Sequence, residues 1–299
     1  MLLPFTDFRA QYRVATPVRL PHHCGSLLRG VLGRSLRRAG CARTDSPCVN
    51  ECAEADTCAY SRLFDPPVPD PLPHKLLRGS TRVPPPLLPL IPQPGSAELD
   101  VDERLTLELR VLGRLDPAGE DRLREAFEHL ASFPLGPRQG RVALEEVAIV
   151  GERDSVATLE APVTSYRQAV VSFETPVWVE TKGRLPRSLE PAVLVRAIYR
   201  RLCTLCALYG ELDPADDARV SRLDELARAL TVARHALRPL QWERHSLERN
   251  RRHPMRGLWG TLELHGELSE LAGVLRLAEV AHVGKATSHG LGRIRVALA

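Results

Sequence analysis

Lysine is almost missing from this chain. Only Lys75, Lys182 and Lys285 contribute to the 41 Lys+Arg, so arginine carries nearly all the positive charge. Arginine grips phosphate in a planar, bidentate way that lysine does not, but a GC-rich genome leaves the same bias, and composition alone does not separate the two. Long apolar runs are missing too. No stretch approaches about 18 uninterrupted apolar residues, which excludes a transmembrane helix. The opening, Met1-Leu-Leu-Pro-Phe-Thr-Asp7-Phe-Arg9, meets charge before an apolar segment forms. That argues against a signal peptide, and a cytoplasmic protein is expected. What remains is ordinary: 43% hydrophobic and 26% charged residues over 299 positions. A core is feasible, wholesale disorder is excluded, and the length suggests two domains.

Acidic residues are absent where arginine is dense. Seven arginines fall between Arg9 and Arg38 (9, 13, 19, 29, 34, 37 and 38) with no Asp or Glu among them. Seven more fall between Arg234 and Arg256 (234, 238, 244, 249, 251, 252 and 256), against Glu243 and Glu248 alone. Carboxylates collect elsewhere, as in Glu211 to Glu225. Such polarisation is the footprint of a nucleic-acid binder, although a charge run is more often a solvated face.

CxxC pairs are also lacking among the clustered cysteines. Even so, four of the seven cysteines, Cys41, Cys48, Cys52 and Cys58, lie within 18 residues. In a cytosolic chain this reads as metal binding before disulfide. The surrounding sequence is polar and turn-rich, so a tetrathiolate ion would be what orders it. Structural zinc is the first expectation and an iron–sulfur cluster the second; four reduced thiols in a loop is the plain alternative. Cys203 and Cys206 sit in an apolar helical pattern and read as small core residues.

The periodicities then give an order of elements. Residues 5–18 alternate as a strand, and Leu27, Leu28, Val31, Leu32 and Leu36 follow at helical spacing to about Arg38. Arg29, Arg34, Arg37 and Arg38 fall opposite that stripe. From 41 to 98 regular structure is not expected. The metal loop 41–58 is followed by a proline-rich run, 66–94, that can be neither helix nor central strand. Strand 105–112, helix 120–130 and strand 142–150 complete a first unit close to βαββαβ. A similar order returns: a strand at 168–180, a helix around 194–209, an acidic helix at 220–232, strands at 235–246 and 256–266, a helix at 268–277, and a strand at 292–298. The expected fold is therefore α+β, with two tandem ferredoxin-like (RRM-like) domains over 1–150 and 151–299. The first carries a Cys- and Pro-rich insertion, 41–98.

The most distinctive segment is the last: Gly284-Lys-Ala-Thr-Ser-His-Gly-Leu-Gly292 before a final strand. Gly284, Gly290 and Gly292 would let backbone approach a phosphate, and Lys285 and Arg293 add cations. Neither a P-loop nor a GxGxxG fingerprint is present. The pattern Gly-Lys-x-Thr-x-x-Gly-Leu-Gly resembles the glycine-rich loop of the RAMP superfamily of CRISPR proteins, and most of all its pre-crRNA-processing endoribonucleases, the sixth Cas family. Leu20-Pro-His-His-Cys-Gly-Ser-Leu-Leu-Arg-Gly-Val-Leu-Gly33 resembles that family's strand-to-helix junction. Cys58-Ala-Tyr-Ser-Arg-Leu-Phe64 resembles the insertion of its cysteine-bearing subgroup. Gln241 to Arg249, through Gly257-Leu-Trp-Gly260, resembles its Arg-rich strand pair.

The resemblance implies metal-independent cleavage of repeat RNA by 2′-hydroxyl attack, leaving a 2′,3′-cyclic phosphate and a 5′-hydroxyl. Repeat RNA is the implied partner, with other Cas subunits of an effector complex beside it. Histidine suits the proton transfers. His22 and His23, at the first strand-to-helix junction, are the leading catalytic candidates, followed by His289 and Lys285 in the glycine loop. RNA contact is expected at Arg29, Arg34, Arg37, Arg244, His245, Arg249, Arg251, Arg252, Arg256 and Arg293 and along the glycines. The first helix has no Tyr, and no His near its C-terminal end, which departs from the family pattern. A non-catalytic RAMP subunit that holds guide RNA, and a metal-stapled structural or partner-binding protein, are the competing readings.

Overall fold

Alternating burial of Phe8, Ala10, Tyr12 and Val14 marks one face of the first strand, β1 (Leu2–Thr16). Pro17, which has no N–H to donate, ends it, and the chain resumes as the short β2 (Val18–Leu20). These observations come from a computed structural model, which describes residues 1–41, 52, 54–91, 95–159, 164–212, 219–246 and 251–299, with only the backbone of 245, 246 and 251.

Two compact units emerge. Phe5–Ser155 form one; Val156–Ala299 form the other, together with Met1–Pro4. In the first, α1 (Gly25–Gly40) follows β2, then α2 (Ala59–Leu63), β3 (Leu87–Pro89), β4 (Ala97–Leu99), β5 (Arg104–Leu112), α3 (Pro117–Leu130) and β6 (Arg141–Thr158). Its main sheet has the order β3-β5-β1-β6, and β2 pairs with β4 apart from it. Leu28, Val31, Leu32 and Leu36 of α1 join Leu123, Phe127 and Leu130 of α3 in one buried cluster over that sheet. Tyr12 crosses the cluster and donates its hydroxyl to the Phe127 carbonyl at 2.8 Å.

The second unit is built from β7 (Gln168–Val177), α4 (Pro191–Tyr209), α5 (Arg219–Ala229), β8 (Thr231–Ser246), β9 (Arg251–His265), α6 (Ser269–Ala281) and β10 (Ile294–Leu298). Its sheet runs β10-β7-β9-β8. Numbered by their occurrence within each unit, the four strands of both sheets read 4-1-3-2. The α+β fold with two ferredoxin-like domains is what the sequence led us to expect.

Several boundaries differ from expectation, each for a physical reason. β6 does not stop at Val150 but continues to Thr158 through positive-φ turns of backbone at Gly151 and Asp154. The insertion 41–98 is not without regular structure: α2 packs on α1, and β3 supplies the second strand of the first sheet. β3 lies at the sheet edge, where Pro89 leaves no ladder partner unmatched. β7 ends at Val177, beside a register shift at Phe173–Val177 that contains Pro176. The last hairpin is longer than expected, because its two strands keep pairing from Thr231↔His265 to Ser246↔Arg251. β7 accompanies β9 only as far as Val177↔Leu258. The pairs from Leu240↔Gly257 onward therefore run past the sheet as a two-stranded ribbon. No described helix is long and apolar enough to cross a membrane.

Candidate nucleic-acid interface and catalytic residues

In the first unit the strand-to-helix junction is a short turn, Pro21–Cys24, leading into α1. Its two imidazoles meet edge to face, with ring centroids 4.6 Å apart. His22 is exposed and its carbonyl accepts from Gly95 N at 3.2 Å; His23 is half-buried. Burial, and then the charge of His22, lower the His23 pKa from 6.5 to about 4. A neutral His23 at pH 7 suits accepting a proton better than donating one. α1 starts without a side-chain cap and without an acidic residue in its first turn, so nothing in that turn offsets the positive end of the helix dipole.

The α1 arginines are more occupied than an amphipathic wheel suggests. Arg29 lies 3.9 Å over the Phe64 ring and donates to the Phe64 carbonyl at 3.2 Å. Arg37 approaches the Tyr60 ring at 5.9 Å. Both thus cover the aromatic pair of α2 and the residue after it. Arg34 is exposed, stacks 4.5 Å over Phe133, and has its pKa lowered by desolvation.

The cysteines bracket the same α1–α2 contact. Cys41 caps the C-terminus of α1 and Cys58 the N-terminus of α2. A Cβ built on Gly40 would lie 3.4 Å from the Ala59 Cβ, so the residues next to these two cysteines lie close together. Cys41 and Cys52 are half-buried and Cys58 is buried, and none is in a disulfide. Cys48 lies outside the described residues. Cys41 and Cys58 thus stand at the two ends of one helix junction, but among the described residues no group of three or more Cys, His, Asp or Glu is gathered to hold a metal ion.

In the second unit the glycine loop and the hairpin meet at a residue that sequence reading missed. Lys285 Nζ donates to Glu180 Oε2 at 2.5 Å, and Arg256 Nη2 to Glu180 Oε1 at 2.6 Å. Trp178 Nε1 donates to the same Oε1 at 2.8 Å. The Trp178 ring lies 5.5 Å from the Arg256 guanidinium and 6.0 Å from the Lys285 ammonium. The hydrogen bonds from Lys285 and then Trp178 hold the Glu180 carboxyl far below its ordinary range, at about 2. The nearest signal in the sequence was the Trp-Val-Glu at the end of a strand, which has no catalytic spacing.

The loop glycines serve the fold first. A Cβ at Gly284 (φ +84°) would collide with the Trp178 carbonyl, and one at Gly292 (φ +80°) with the Val283 carbonyl. Lys285 N donates to Trp178 O at 2.9 Å, and Gly292 N to Pro176 O at 3.0 Å. Gly290, at φ +76°, closes a single 3-10 turn over Thr287–His289. His289 is half-buried in that turn. Arg293 pairs with Glu174 at 2.8 Å. On the ribbon, Arg244 stands opposite His253 and His245 opposite Arg252. Arg252 is exposed and pairs loosely with Glu243 at 3.3 Å. Arg251 sits at the end of the ribbon, and Arg249 lies outside the described residues.

Two family models match consecutive parts of the chain. One, described as an N-terminal domain, spans residues 3–172. The other, the CRISPR-associated endoribonuclease Cas6, spans residues 171–294. The C-terminal part of the chain thus matches the Cas6 family of CRISPR-associated endoribonucleases. No curated protein sequence matches it. Among solved structures, a Cas6 product complex superposes with a TM-score of 0.57 at 20% identity, over 98% of this chain and all of that one. A Thermus thermophilus Cas6 gives 0.54 at 17% identity over 99% of both chains. A Cas6-RT-Cas1–Cas2 complex gives 0.61 at 13%, over 99% of this chain and 46% of that one. The Cas6 match contains Trp178, Glu180, Arg256, Lys285 and His289, whereas His22, His23 and the four clustered cysteines fall in the N-terminal match.

Proposed function

We propose that this chain is a Cas6-type endoribonuclease that binds CRISPR repeat RNA and cuts it without a metal in the chemical step. The ribose 2′-oxygen attacks the adjacent phosphorus and the bond to the 5′-oxygen breaks. The 2′-hydroxyl proton passes to a base, and a proton reaches the departing 5′-oxygen. A 2′,3′-cyclic phosphate and a 5′-hydroxyl remain. His22 or His23 is the proton-transfer group, while Lys285 and the loop around His289 and Gly290 hold phosphate. The observation that carries this reading is the Lys285–Arg256 pair, which presents two cations together at the glycine loop. The N-terminal arginines and the ribbon extend RNA contact. A Cas6-RT-Cas1–Cas2 complex among the structural neighbours supports other Cas subunits as further partners. The test is cleavage of the cognate repeat RNA in excess EDTA. Product with a cyclic phosphate is expected. Binding without cleavage, with or without added metal, would make the chain a non-catalytic guide-RNA subunit. No RNA binding at all would leave the metal-stapled structural protein.

The cysteine-bearing subgroup and its ion belong to the same proposal. Cys41, Cys48, Cys52 and Cys58 would hold one structural zinc, which supplies folding energy and no reaction chemistry. Elemental analysis of protein purified without added metal is expected to give one zinc per chain. Replacing Cys41 and Cys58 by serine should abolish it and lower the melting temperature. A metal-free, fully folded wild type overturns the assignment, and a brown protein absorbing near about 400 nm replaces zinc with an iron–sulfur cluster.

A further inference from the structure

Glu180 sits where three chain segments converge: the stretch following β7, the β9 strand of the hairpin, and the glycine loop. Its side chain is only 12% exposed, while that of Lys285 is 60% exposed and that of Arg256 is 35% exposed. The carboxylate thus lies beneath and the cations face outward. Each carboxylate oxygen takes one cation, and the Trp178 indole N–H fixes the oxygen shared with Arg256. Arg256 is also tied to the Gly183 carbonyl at 3.3 Å. Cations near enough to share one carboxylate are near enough to share one phosphate group.

We propose that Glu180 is a positioning residue: it holds Lys285 and Arg256 side by side so that both meet the same RNA phosphate. This rests on the endoribonuclease reading above. Lysine on its own is a flexible point charge, and two adjacent cations repel. An anionic anchor underneath removes that repulsion and fixes the lysine stem, so less ordering remains to be done when RNA arrives. The anchor is ionised across the whole neutral range, since the hydrogen bonds from Lys285 and Trp178 keep its pKa at about 2.

An anchor of this kind has a cost that distinguishes it from a purely structural ion pair. Its negative charge opposes the phosphate it helps to place. Glu180→Gln keeps the size and removes the charge, so binding and cleavage should move apart. We expect the single-turnover rate to fall about tenfold or more while repeat-RNA affinity holds or rises. The salt dependence of binding should steepen, by up to about 0.7 in the log–log slope for one more single-stranded phosphate contact. Glu180→Asp should recover part of the rate. Wild-type rate and slope in Glu180→Gln would overturn the proposal. So would a parallel loss of rate, affinity and melting temperature in both variants, which is the mark of a merely structural residue. If the wild type binds but does not cut, the endoribonuclease reading fails, and the salt slope still decides the role of Glu180.

Discussion

Replacing His22 and His23 together by alanine is expected to slow single-turnover cleavage by roughly a hundred- to ten-thousand-fold and to leave the repeat RNA bound. The reason lies in the junction itself. The two rings are in contact at 4.6 Å, and His23 is held neutral by burial and by its neighbour. Their loss removes proton transfer without touching the Lys285–Arg256 pair of the second unit, so affinity is spared. The same environment gives a pH signature. Because the folded-state pKa of about 4 lies below the ordinary 6.5, the unfolded chain binds more protons between those values. The His23 contribution to stability is complete above about pH 6.5 and is lost as pH falls through 4. Over that interval the wild-type melting temperature should fall more steeply than that of the double variant. If His23 is the proton acceptor, the acid limb of the rate profile should centre near 4. Full activity in the double variant excludes both histidines. Activity lost instead in His289→Ala or Lys285→Ala would move the centre to the glycine loop. If no histidine matters and the wild type still cuts, Arg34 becomes the candidate, acting by charge and positioning.

How far sequence carried the argument depends on how local each signal was. Helix α1 was legible because Leu28, Val31, Leu32 and Leu36 keep a helical period and all end buried. The tandem ferredoxin-like order was legible for the same reason, element by element. β3 was not. A three-residue edge strand inside a proline run has no periodicity to detect, and only its pairing of Leu87 with Val111 and Pro89 with Leu109 defines it. The Glu180 cluster was hidden for a different reason: its partners are 76 and 105 residues away. Nothing in Val177-Trp-Val-Glu180 announces that two further donors arrive from elsewhere to join Trp178 on Glu180. The glycine loop stood out in the sequence for a ligand role, whereas the structure shows that Gly284 and Gly292 answer to internal crowding at Trp178 and Val283. Likewise the wheel placed Arg29 and Arg37 on an outer face without showing that Phe64 and Tyr60 would cover that face.

Reversing charge at Arg249, Arg251 and Arg252 together is expected to weaken repeat-RNA binding by at least a hundredfold near physiological salt. The ribbon explains why the effect should be large. Beyond Leu240↔Gly257 neither strand has a further strand neighbour among the described residues, so the hairpin extends past the sheet with its edges unpaired. Directly opposed residues project to the same side and successive ones to opposite sides, which puts Arg244 with His253 on one face and Arg252 on the other. The only described carboxylate that pairs with a ribbon-tip arginine is Glu243, at 3.3 Å from an Arg252 side chain that is 76% exposed. A pair that exposed contributes about 1 kcal/mol at most, so phosphate can displace it at little cost. Each arginine that neutralises a phosphate releases counterion, and losing three contacts should flatten the log–log salt slope by about 2. Three acidic residues in their place add direct repulsion to that loss. The fold should be unaffected, because the substitutions lie at least six residues before Leu258, whose pairing with Val177 joins the ribbon to the sheet. Unchanged melting with weakened, less salt-dependent binding is therefore the expected combination. Affinity within twofold of wild type would make the ribbon arginines a solvated face and leave phosphate recognition to the Glu180-anchored pair.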